Sequence, residues 1–388
     1  MSEFNTETIT DRAGTGKPDL TFGFKINGSD SGINPFLHTE SANEPSNPNN
    51  GDAWFDTANN IYKVYINNEW KDWFGTTAAP RYGDRAFKTG NVSNASSNRI
   101  EYWSMTSAGN AADFGDLTIA RNQISGMTNN SAYAFCVAGA NSGTEVKSID
   151  YWASATTGNA SDFGDLTKES DEGTTNSDGT TACTVIGRDH SSGSNYTLVN
   201  IIEKFTMSTP GNSTDFGDLL APMSLTESCA NDTRMIISGG YNSGNSPPYS
   251  NVIQYITPAT PGNSTDFGDL TTVKGYHCGA GTGNADRGLF MGGYYHPGDT
   301  FVQAIDYIDV TSAGNAADFG DLLEGCQAPG GCSNATKAHC FGGYATGSIN
   351  AASNRIQEVT MATLGNATDF GDLLSNEYYC KGTSGAAS

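Results

Sequence analysis

The chain has 388 residues, of which 36% are hydrophobic and 16% charged, and its formal net charge at pH 7 is -22. Such an acidic chain opposes the counterion release by which proteins bind nucleic acids, so nucleic acid is not an expected partner. The N-terminal region has no basic stretch followed by an apolar run, and no stretch of about 18 apolar residues occurs. We therefore predict neither a signal peptide nor insertion into a membrane.

The first 75 residues differ in composition from the rest of the chain. Residues 1–45 are polar and predict an extended arm that orders against a partner. Residues 46–75 contain GDAWFDTANNIYKVYINNEWKDW, Gly51 to Trp73, in which short alternating runs are separated by Asn-rich turns. This pattern predicts a small β-meander. In the simplest alternative, the meander only packs against the rest of the protein.

A repeat organises residues 76–388. The pentapeptide DFGDL occurs six times at spacings of 49 to 53 residues, beginning at Asp113, Asp162, Asp215, Asp266, Asp318 and Asp369. A Gly-Asn pair precedes each copy, and upstream lie an alternating run such as NRIEYWSM and an apolar run that usually ends in glycine. Each repeat thus predicts four short strands, and no helical periodicity interrupts them. An all-β fold follows, with six four-stranded blades forming a β-propeller.

We interpret DFGDL as structural. Its Phe is expected to be buried between blades, its Gly to adopt a positive φ, and its Asp side chains to accept hydrogen bonds from turn N–H groups. DFG is also the magnesium-binding motif of protein kinases. We reject that interpretation because no Gly-rich loop, strand lysine or HRD motif accompanies it. Calcium binding by the Asp pairs is a lesser alternative, since calcium needs six to eight oxygen ligands.

The cysteines and histidines show no spacing typical of a metal or catalytic site. The eight cysteines lack CxxC pairs and are expected to be buried apolar side chains, with Cys332 and Cys340 as the best disulfide candidate across a hairpin. The five histidines have no metal spacing and no partnered nucleophile. We therefore predict no cofactor, no metal and no enzymatic activity.

The segments between the glycine-ending strand and the next strand vary in length and chemistry from repeat to repeat. They are predicted to be loops on one side of the fold and to form the binding surface. Their aromatic and amide residues suit glycans or protein epitopes, although ordinary solvated loops remain an equal alternative. The candidate binding residues are Tyr196, Tyr241, Tyr249, Tyr294, Tyr295, His296 and Tyr344.

The repeat resembles the Kelch motif, in which a glycine pair ends an apolar strand and a Tyr-containing strand follows. The resemblance is clearest at Gly239-Gly240, Gly292-Gly293 and Gly342-Gly343. This repeat differs from the Kelch motif because it lacks the tryptophan that occurs late in each Kelch blade. The Phe of DFGDL takes the place of that tryptophan. The resemblance implies a Kelch-like propeller over residues 76–388.

The string GDxWFDTxNNxxKVYxxxxW, residues 51–70, resembles a module of bacteriophage tail fibres and other virion appendages. Thr8 to Ser29 is similar to the N-terminal segment of such proteins in phages of marine cyanobacteria. The resemblance implies a virion structural protein on the particle exterior, bound to other virion proteins through residues 1–75 and displaying the propeller to a host-surface glycan or protein. A homo-oligomer is compatible with this role. The alternatives are an architectural capsid or tail decoration protein and a propeller glycosidase or lyase.

Overall fold

The computed structural model describes residues 38–41, 43–50, 52–56, 61–66, 69–72, 83–90, 96–192, 195–244, 246, 248–280, 287–295, 298, 300–345 and 351–385. The chain divides into two compact units, Met1–Ala79 and Pro80–Ser388. The described residues form strands, turns and bends, with no helix among them. In this described part there is accordingly no apolar helix of membrane-spanning length.

The first unit contains one four-stranded sheet. Its strands, in spatial order, are β1 (His38–Ser41), β2 (Ala53–Asp56), β3 (Ile61–Ile66) and β4 (Glu69–Asp72). Strands β2 to β4 are the predicted antiparallel meander, and Trp54 and Trp70 pack edge to face with centroids 5.5 Å apart. The difference is β1, which pairs parallel with β2 although it lies in the segment predicted to be an arm. Most of that segment, residues 1–37, lies outside the described residues.

The described residues of the second unit form six main antiparallel sheets, numbered 1 to 6 in chain order of their second strands: five are four-stranded, and the sixth has four corresponding strands extended by two short ones. Sheet 1 is β35 (Lys381–Gly385), β5 (Arg85–Thr89), β6 (Ser97–Ser104) and β7 (Ala112–Arg121). Sheet 2 is β8 (Gly126–Asn129), β9 (Tyr133–Asn141), β10 (Thr144–Ala153) and β11 (Ser161–Asp165). Sheet 3 is β13 (Thr174–Ser177), β14 (Thr181–Val185), β17 (Ile201–Thr206) and β18 (Thr214–Asp218).

The other three sheets follow the same order. Sheet 4 is β19 (Glu227–Ala230), β20 (Met235–Ser238), β21 (Val252–Ile256) and β22 (Thr265–Asp269). Sheet 5 is β23 (Cys278–Ala280), β24 (Arg287–Met291), β27 (Ala304–Asp309) and β28 (Ala317–Asp321). Sheet 6 is β30 (Gly330–Ser333), β31 (Lys337–Phe341), β33 (Ala351–Thr360) and β34 (Thr368–Glu377).

Short strands form additional pairings; five of them lie in three of the variable loops, and the other two, β12 and β29, precede the first strands of sheets 3 and 6. They are β12 (Ser170–Asp171), β15 (Arg188–Asp189), β16 (Thr197–Leu198), β25 (Tyr294–Tyr295), β26 (Thr300–Phe301), β29 (Cys326–Gln327) and β32 (Tyr344–Ala345). Strand β15 pairs with both β12 and β16, β25 pairs with β26, and β32 pairs with β29 and β33.

The last strand of the chain completes the first sheet. Strand β35 pairs antiparallel with β5, from Lys381 opposite Thr89 to Gly385 opposite Arg85. The first strands of neighbouring sheets contact each other in a closed cycle, β35, β8, β13, β19, β23, β30 and back to β35. The all-β arrangement is therefore propeller-like. The segment predicted as the first strand of repeat 1, Ala79 to Asp84, lies largely outside the described residues, and β35 takes that position.

DFGDL residues build the junctions between sheets. The Phe is buried, as predicted: Phe114 packs edge to face on Phe87, with centroids 5.0 Å apart, in a cluster that includes Trp152 of sheet 2. The Gly approaches the next repeat so closely that a Cβ on Gly115 would lie 2.3 Å from the carbonyl oxygen of Gly158. A side chain there would collide with backbone, which explains the glycine.

Asparagine, rather than aspartate, makes the recurring side-chain hydrogen bond of each junction. The backbone N–H of the second Asp in DFGDL donates to Oδ1 of the Asn in the next repeat's Gly-Asn pair, as in Asp116 to Asn159 at 3.1 Å. The Asp side chains were predicted to be the acceptors. The structure instead uses the aspartate backbone at this position and leaves carboxylates such as Asp113 exposed.

A second set of junction contacts uses buried polar side chains in the third strand of each sheet. They are Glu101, Asp150, Glu203, Gln254, Asp306 and Gln357, all buried. Asp150 accepts a hydrogen bond from the backbone N–H of Thr118 at 2.7 Å, and Gln357 accepts one from Leu323 at 2.7 Å. Simple alternation would turn such residues towards solvent. They are buried because a neighbouring sheet covers that face and supplies donors.

All eight cysteines are buried. The predicted Cys332–Cys340 disulfide is not formed, because Cys332 is opposite His339 in the hairpin while Cys340 is opposite Gly331. Cys340 Sγ instead lies 3.6 Å from Cys278 Sγ in sheet 5. The prediction of buried apolar thiols is confirmed.

Candidate functional site

Six residues in left-handed conformation surround one end of the innermost strands. They have φ of 46° to 57° and precede the first strand of each sheet: Gln123, Glu172, Leu225, Tyr276, Ala328 and Tyr379. A left-handed non-glycine residue costs roughly 1 kcal/mol or more, so neighbouring structure must hold each of them. We call this set the axial ring.

Backbone hydrogen bonds connect members of the axial ring to one another. The N–H of Glu172 donates to the carbonyl of Gln123 at 3.2 Å, and Leu225 donates to Glu172 at 2.8 Å. Ala328 donates to Tyr276 at 2.7 Å, and Tyr379 donates to Ala328 at 2.8 Å. Every repeat therefore contributes one constrained residue at this end of the fold, and side-chain identity at these positions varies freely.

The axial ring lines a cavity of about 30 Å³. A second cavity, of about 40 Å³, is lined by residues of all six innermost strands. Glu227 and Lys381 line both cavities and form an ion pair with each other. Burial raises the pKa of Glu227, and the adjacent Lys381 ammonium opposes that shift. Since each volume holds only a few water-sized groups, a larger ligand must bind outside, around the ring.

Aromatic side chains form a closed series of contacts beside the axial ring, with successive centroids 5.4 to 6.4 Å apart. The series, which we call the aromatic circuit, is Tyr249, Tyr294, Phe301, Tyr344, Tyr378, Tyr379 and Tyr276. Every member is half-buried, so each ring keeps an accessible portion. Together the axial ring and the aromatic circuit define the mouth.

Three tyrosines of the mouth, Tyr249, Tyr276 and Tyr379, remain phenols at neutral pH. Burial raises the pKa of Tyr249, Tyr276 and Tyr379 above the ordinary tyrosine value. Their hydroxyl groups can therefore both donate and accept hydrogen bonds, while their ring faces offer apolar contact.

Charged side chains lie next to the aromatic circuit. Glu172 forms an ion pair with Arg188 at 2.7 Å, between Oε2 and Nη2, and accepts a hydrogen bond from Gln123 at 2.9 Å. The Arg188 guanidinium lies 4.3 Å from the ring centroid of Tyr196. Burial raises the pKa of Glu172 to about 7, although Arg188 opposes the shift. This charged sector combines Gln123, Glu172, Arg188 and Tyr196.

Asp171 and His190 adjoin the charged sector. His190 Nε2 lies 3.1 Å from Asp171 Oδ1, and His190 Nδ1 lies 3.3 Å from Glu145 Oε1. Burial raises the pKa of Asp171 against the opposing influence of Arg188 and His190. The histidine spacing in the sequence indicated no metal site, whereas the fold brings this histidine between two carboxylates.

The structure places three of the seven predicted binding residues in the mouth and two others beside it. Tyr249, Tyr294 and Tyr344 are members of the aromatic circuit, and Tyr241 packs edge to face on Tyr249 with centroids 5.5 Å apart. Tyr196 belongs to the charged sector. Tyr295 is half-buried in β25, opposite Thr300 of β26. His296 lies outside the described residues.

Sequence reasoning missed the residues that come from the axial ring. Tyr276, Tyr379 and Glu172 occupy one aligned column, two or three residues before the first strand of a sheet. An alignment of the six repeats would have placed the two tyrosines at the same position of the repeat. The fold brings that position to one end of the innermost strands. Arg188 gave no signal, since a lone arginine after a strand is common.

No protein-family model matches the chain, and no curated protein is similar to it in sequence.

Proposed function

We propose that residues 76–388 form a six-bladed Kelch-like β-propeller whose blades are sheets 1 to 6, and that the mouth binds a glycan on a host cell surface. The closed cycle of innermost strands and the pairing of β35 with β5 support the blade count. The glycine pairs that end the second strands, such as Gly239-Gly240, support the Kelch-like assignment.

The aromatic circuit is the observation that carries the binding proposal. Three variable loops, two axial-ring positions and Tyr378, the neighbour of Tyr379, supply its rings, so it is assembled by the fold from distant segments. Tyrosine rings stack against the C–H faces of sugars, and hydroxyl, carboxylate and guanidinium groups satisfy sugar hydroxyls. The axial ring holds Tyr276 and Tyr379 in costly backbone conformations, which favours a pre-organised site.

A virion role is the wider proposal. The sequence resemblance of residues 51–70 to phage appendage modules supports an attachment function for residues 1–75. The protein would then be a non-enzymatic appendage on the exterior of a bacteriophage particle, bound to other virion proteins. Cryo-electron microscopy of the particle tests this proposal by locating the four-stranded sheet of the first unit, and a position without virion neighbours would contradict it.

Binding to an array of bacterial envelope polysaccharides and defined oligosaccharides tests the glycan proposal. Tyr344→Ala, in the aromatic circuit, is expected to weaken binding at least about tenfold, which is typical of a buried aromatic anchor. Tyr133→Ala is the matched control, because Tyr133 is 40% exposed and begins β9 at the end remote from its variable loop. Equal loss in both variants, or no binding to any glycan, would reject the proposal.

A glycosidase or lyase is the second candidate, and one observation favours it. The pKa of Glu172, raised to about 7 by burial, is that of a carboxyl able to act as a general acid beside a sugar-binding surface. Incubation with the same polysaccharides distinguishes the two candidates. Release of reducing ends that disappears in Glu172→Gln, with binding retained, would establish the enzyme. Binding without release supports the non-enzymatic proposal.

A further inference from the structure

Three side chains from separate segments converge beside the charged sector. Glu145 lies in β10, Asp171 in β12, and His190 directly follows β15. Their nearest ligand atoms lie within 4.8 Å of one another. The Asp171 and His190 side chains are 4% and 9% exposed, so burial already restricts two of the three. The ordering cost that a metal site normally imposes on its ligands is therefore small here.

The two contacts of the His190 ring cannot both be satisfied by a neutral imidazole. One ring nitrogen of neutral imidazole carries a proton and the other carries a lone pair. Each nitrogen faces a carboxylate oxygen, at 3.1 Å and 3.3 Å. One lone pair would therefore face a negative oxygen, and a cation bound between the two atoms would remove that repulsion.

We propose that His190 and its neighbouring carboxylates bind a divalent first-row transition cation such as Zn²⁺. Ligands at about 2.0–2.2 Å from such an ion lie roughly 3–3.5 Å apart, and the Nε2-to-Oδ1 separation of 3.1 Å matches that spacing. The mixed imidazole and carboxylate donor set suits zinc, copper or nickel rather than calcium.

The surrounding charge also favours a cation. Glu145, Asp171, Glu172 and Asp189 are the acids of this region. Arg188 pairs with Glu172 at 2.7 Å and Lys168 with Asp189 at 3.2 Å. Among the described residues, the ion pairs of Glu145 and Asp171 are with the His190 ring, although the Arg188 charge also acts on Asp171. A bound ion would connect β10 to the β12–β15 pairing and fix the loop that carries Tyr196.

Calorimetric titration of the full chain with ZnCl₂, in a non-chelating buffer with a phosphine reductant and without glycan, tests the proposal. One equivalent is expected to bind to the wild type. His190→Ala is expected to weaken binding at least about tenfold. Asp189→Asn is the matched control, because it removes one negative charge next to His190 without removing a proposed ligand, and it should change affinity less than about twofold.

Glu145→Gln provides a second variant, since this part-buried side chain tolerates substitution better than a buried one. It is expected to weaken binding about tenfold while leaving the circular dichroism spectrum unchanged. Zinc should also raise the unfolding temperature of the wild type but not of His190→Ala. Absence of binding below millimolar zinc, or equal affinity in His190→Ala and Asp189→Asn, would overturn the proposal. Because no glycan is present, that result leaves the proposed binding function unaffected.

Discussion

The backbone N–H of Asp372 donates a hydrogen bond to Asn110 Oδ1 at 3.1 Å, although 262 residues separate the two. The same bond recurs at the five other junctions, at 3.0 to 3.1 Å. The junction between the last and the first repeat therefore uses the same chemistry as those between consecutive repeats, and its mutants can be compared directly with theirs.

Gly371→Ala is expected to destabilise the protein by about 2–4 kcal/mol, because the new Cβ would lie 2.2 Å from the carbonyl oxygen of Gly109. Backbone atoms on both sides cannot move aside cheaply. Gly109→Ala is the control at the other side of the same junction. No heavy atom lies within 4 Å of its Cβ position, so a change below about 0.5 kcal/mol is expected. Urea unfolding measures both, and similar midpoints would contradict the described close approach.

Deletion of residues 381–388 is expected to cost about 4 kcal/mol or more. It removes the five residues of β35, their ladder with β5, and the Lys381 partner of Glu227. It also exposes the edge of β5, which favours aggregation. Deletion of residues 386–388 alone is the control. Thermal unfolding and size-exclusion chromatography would compare them, and equal behaviour would show that β35 does not stabilise sheet 1.

Glu172 is expected to make stability fall as the pH rises. Its pKa is raised from 4.5 to about 7 by burial, so the folded state binds this proton more tightly than the unfolded state does. The stabilising contribution is complete below about pH 4.5 and is lost as the pH rises through about 7. Glu172→Gln should match the wild type at pH 5 and be about 1–3 kcal/mol more stable relative to it at pH 8.

Denaturant unfolding at both pH values measures this difference. Glu169→Gln, at an exposed glutamate in the same loop, is the control and should track the wild type throughout. If Glu172→Gln loses stability relative to the wild type at pH 8, the ion pair with Arg188 outweighs the cost of burying the carboxylate.

Lys88→Met is expected to destabilise the protein by about 3–5 kcal/mol. Lys88 is 1% exposed and pairs with Glu101 and Glu377, which are completely buried. Without Lys88, Arg99 is the remaining cation that forms ion pairs with the two carboxylates among the described residues. Two buried negative charges are then less well compensated, which is costly. Lys147→Met removes an exposed pair, with Asp165 at 3.7 Å, and should cost less than about 1 kcal/mol. Comparable losses from the two substitutions would count against the importance of burial.

The thiols are expected to be unreactive until the protein unfolds. All eight are buried, and burial raises the pKa of Cys136 and of Cys380 to about 11. Because the thiolate is the reactive form, Ellman's reagent should modify the native protein at least about a hundred times more slowly than the urea-unfolded protein. Rapid labelling of one thiol in native buffer would show that its strand opens locally.

The strands and junctions could be predicted from sequence because they repeat. Six copies of DFGDL and Gly-Asn at a nearly constant spacing indicate one local structure, and the burial of Phe114 and its equivalents follows from that. The burial of Glu101 and Asp150 could not be predicted from their own repeats, since the donors that compensate it come from another repeat.

The mouth could be predicted only in part. Variable loops pointed to Tyr249, Tyr294 and Tyr344, which do converge. Their partners Tyr276 and Tyr379 occupy the axial ring, and ring-to-ring contacts between repeats depend on how the sheets are arranged around one another. The Glu145, Asp171 and His190 group was invisible for the same reason, because no short spacing links its members.

The pairing of β35 with β5 has a consequence for how copies of the chain can assemble. Sheets 2 to 6 are each built from one local stretch, whereas sheet 1 joins the two ends of the repeat region. When β35 detaches from β5, the molecule has one unpaired strand and one unpaired edge on sheet 1. The detached β35 can then pair with β5 of another molecule as well as with its own. At high concentration the chain can therefore exchange this strand between molecules, giving domain-swapped dimers or longer open series whose individual sheets are unchanged.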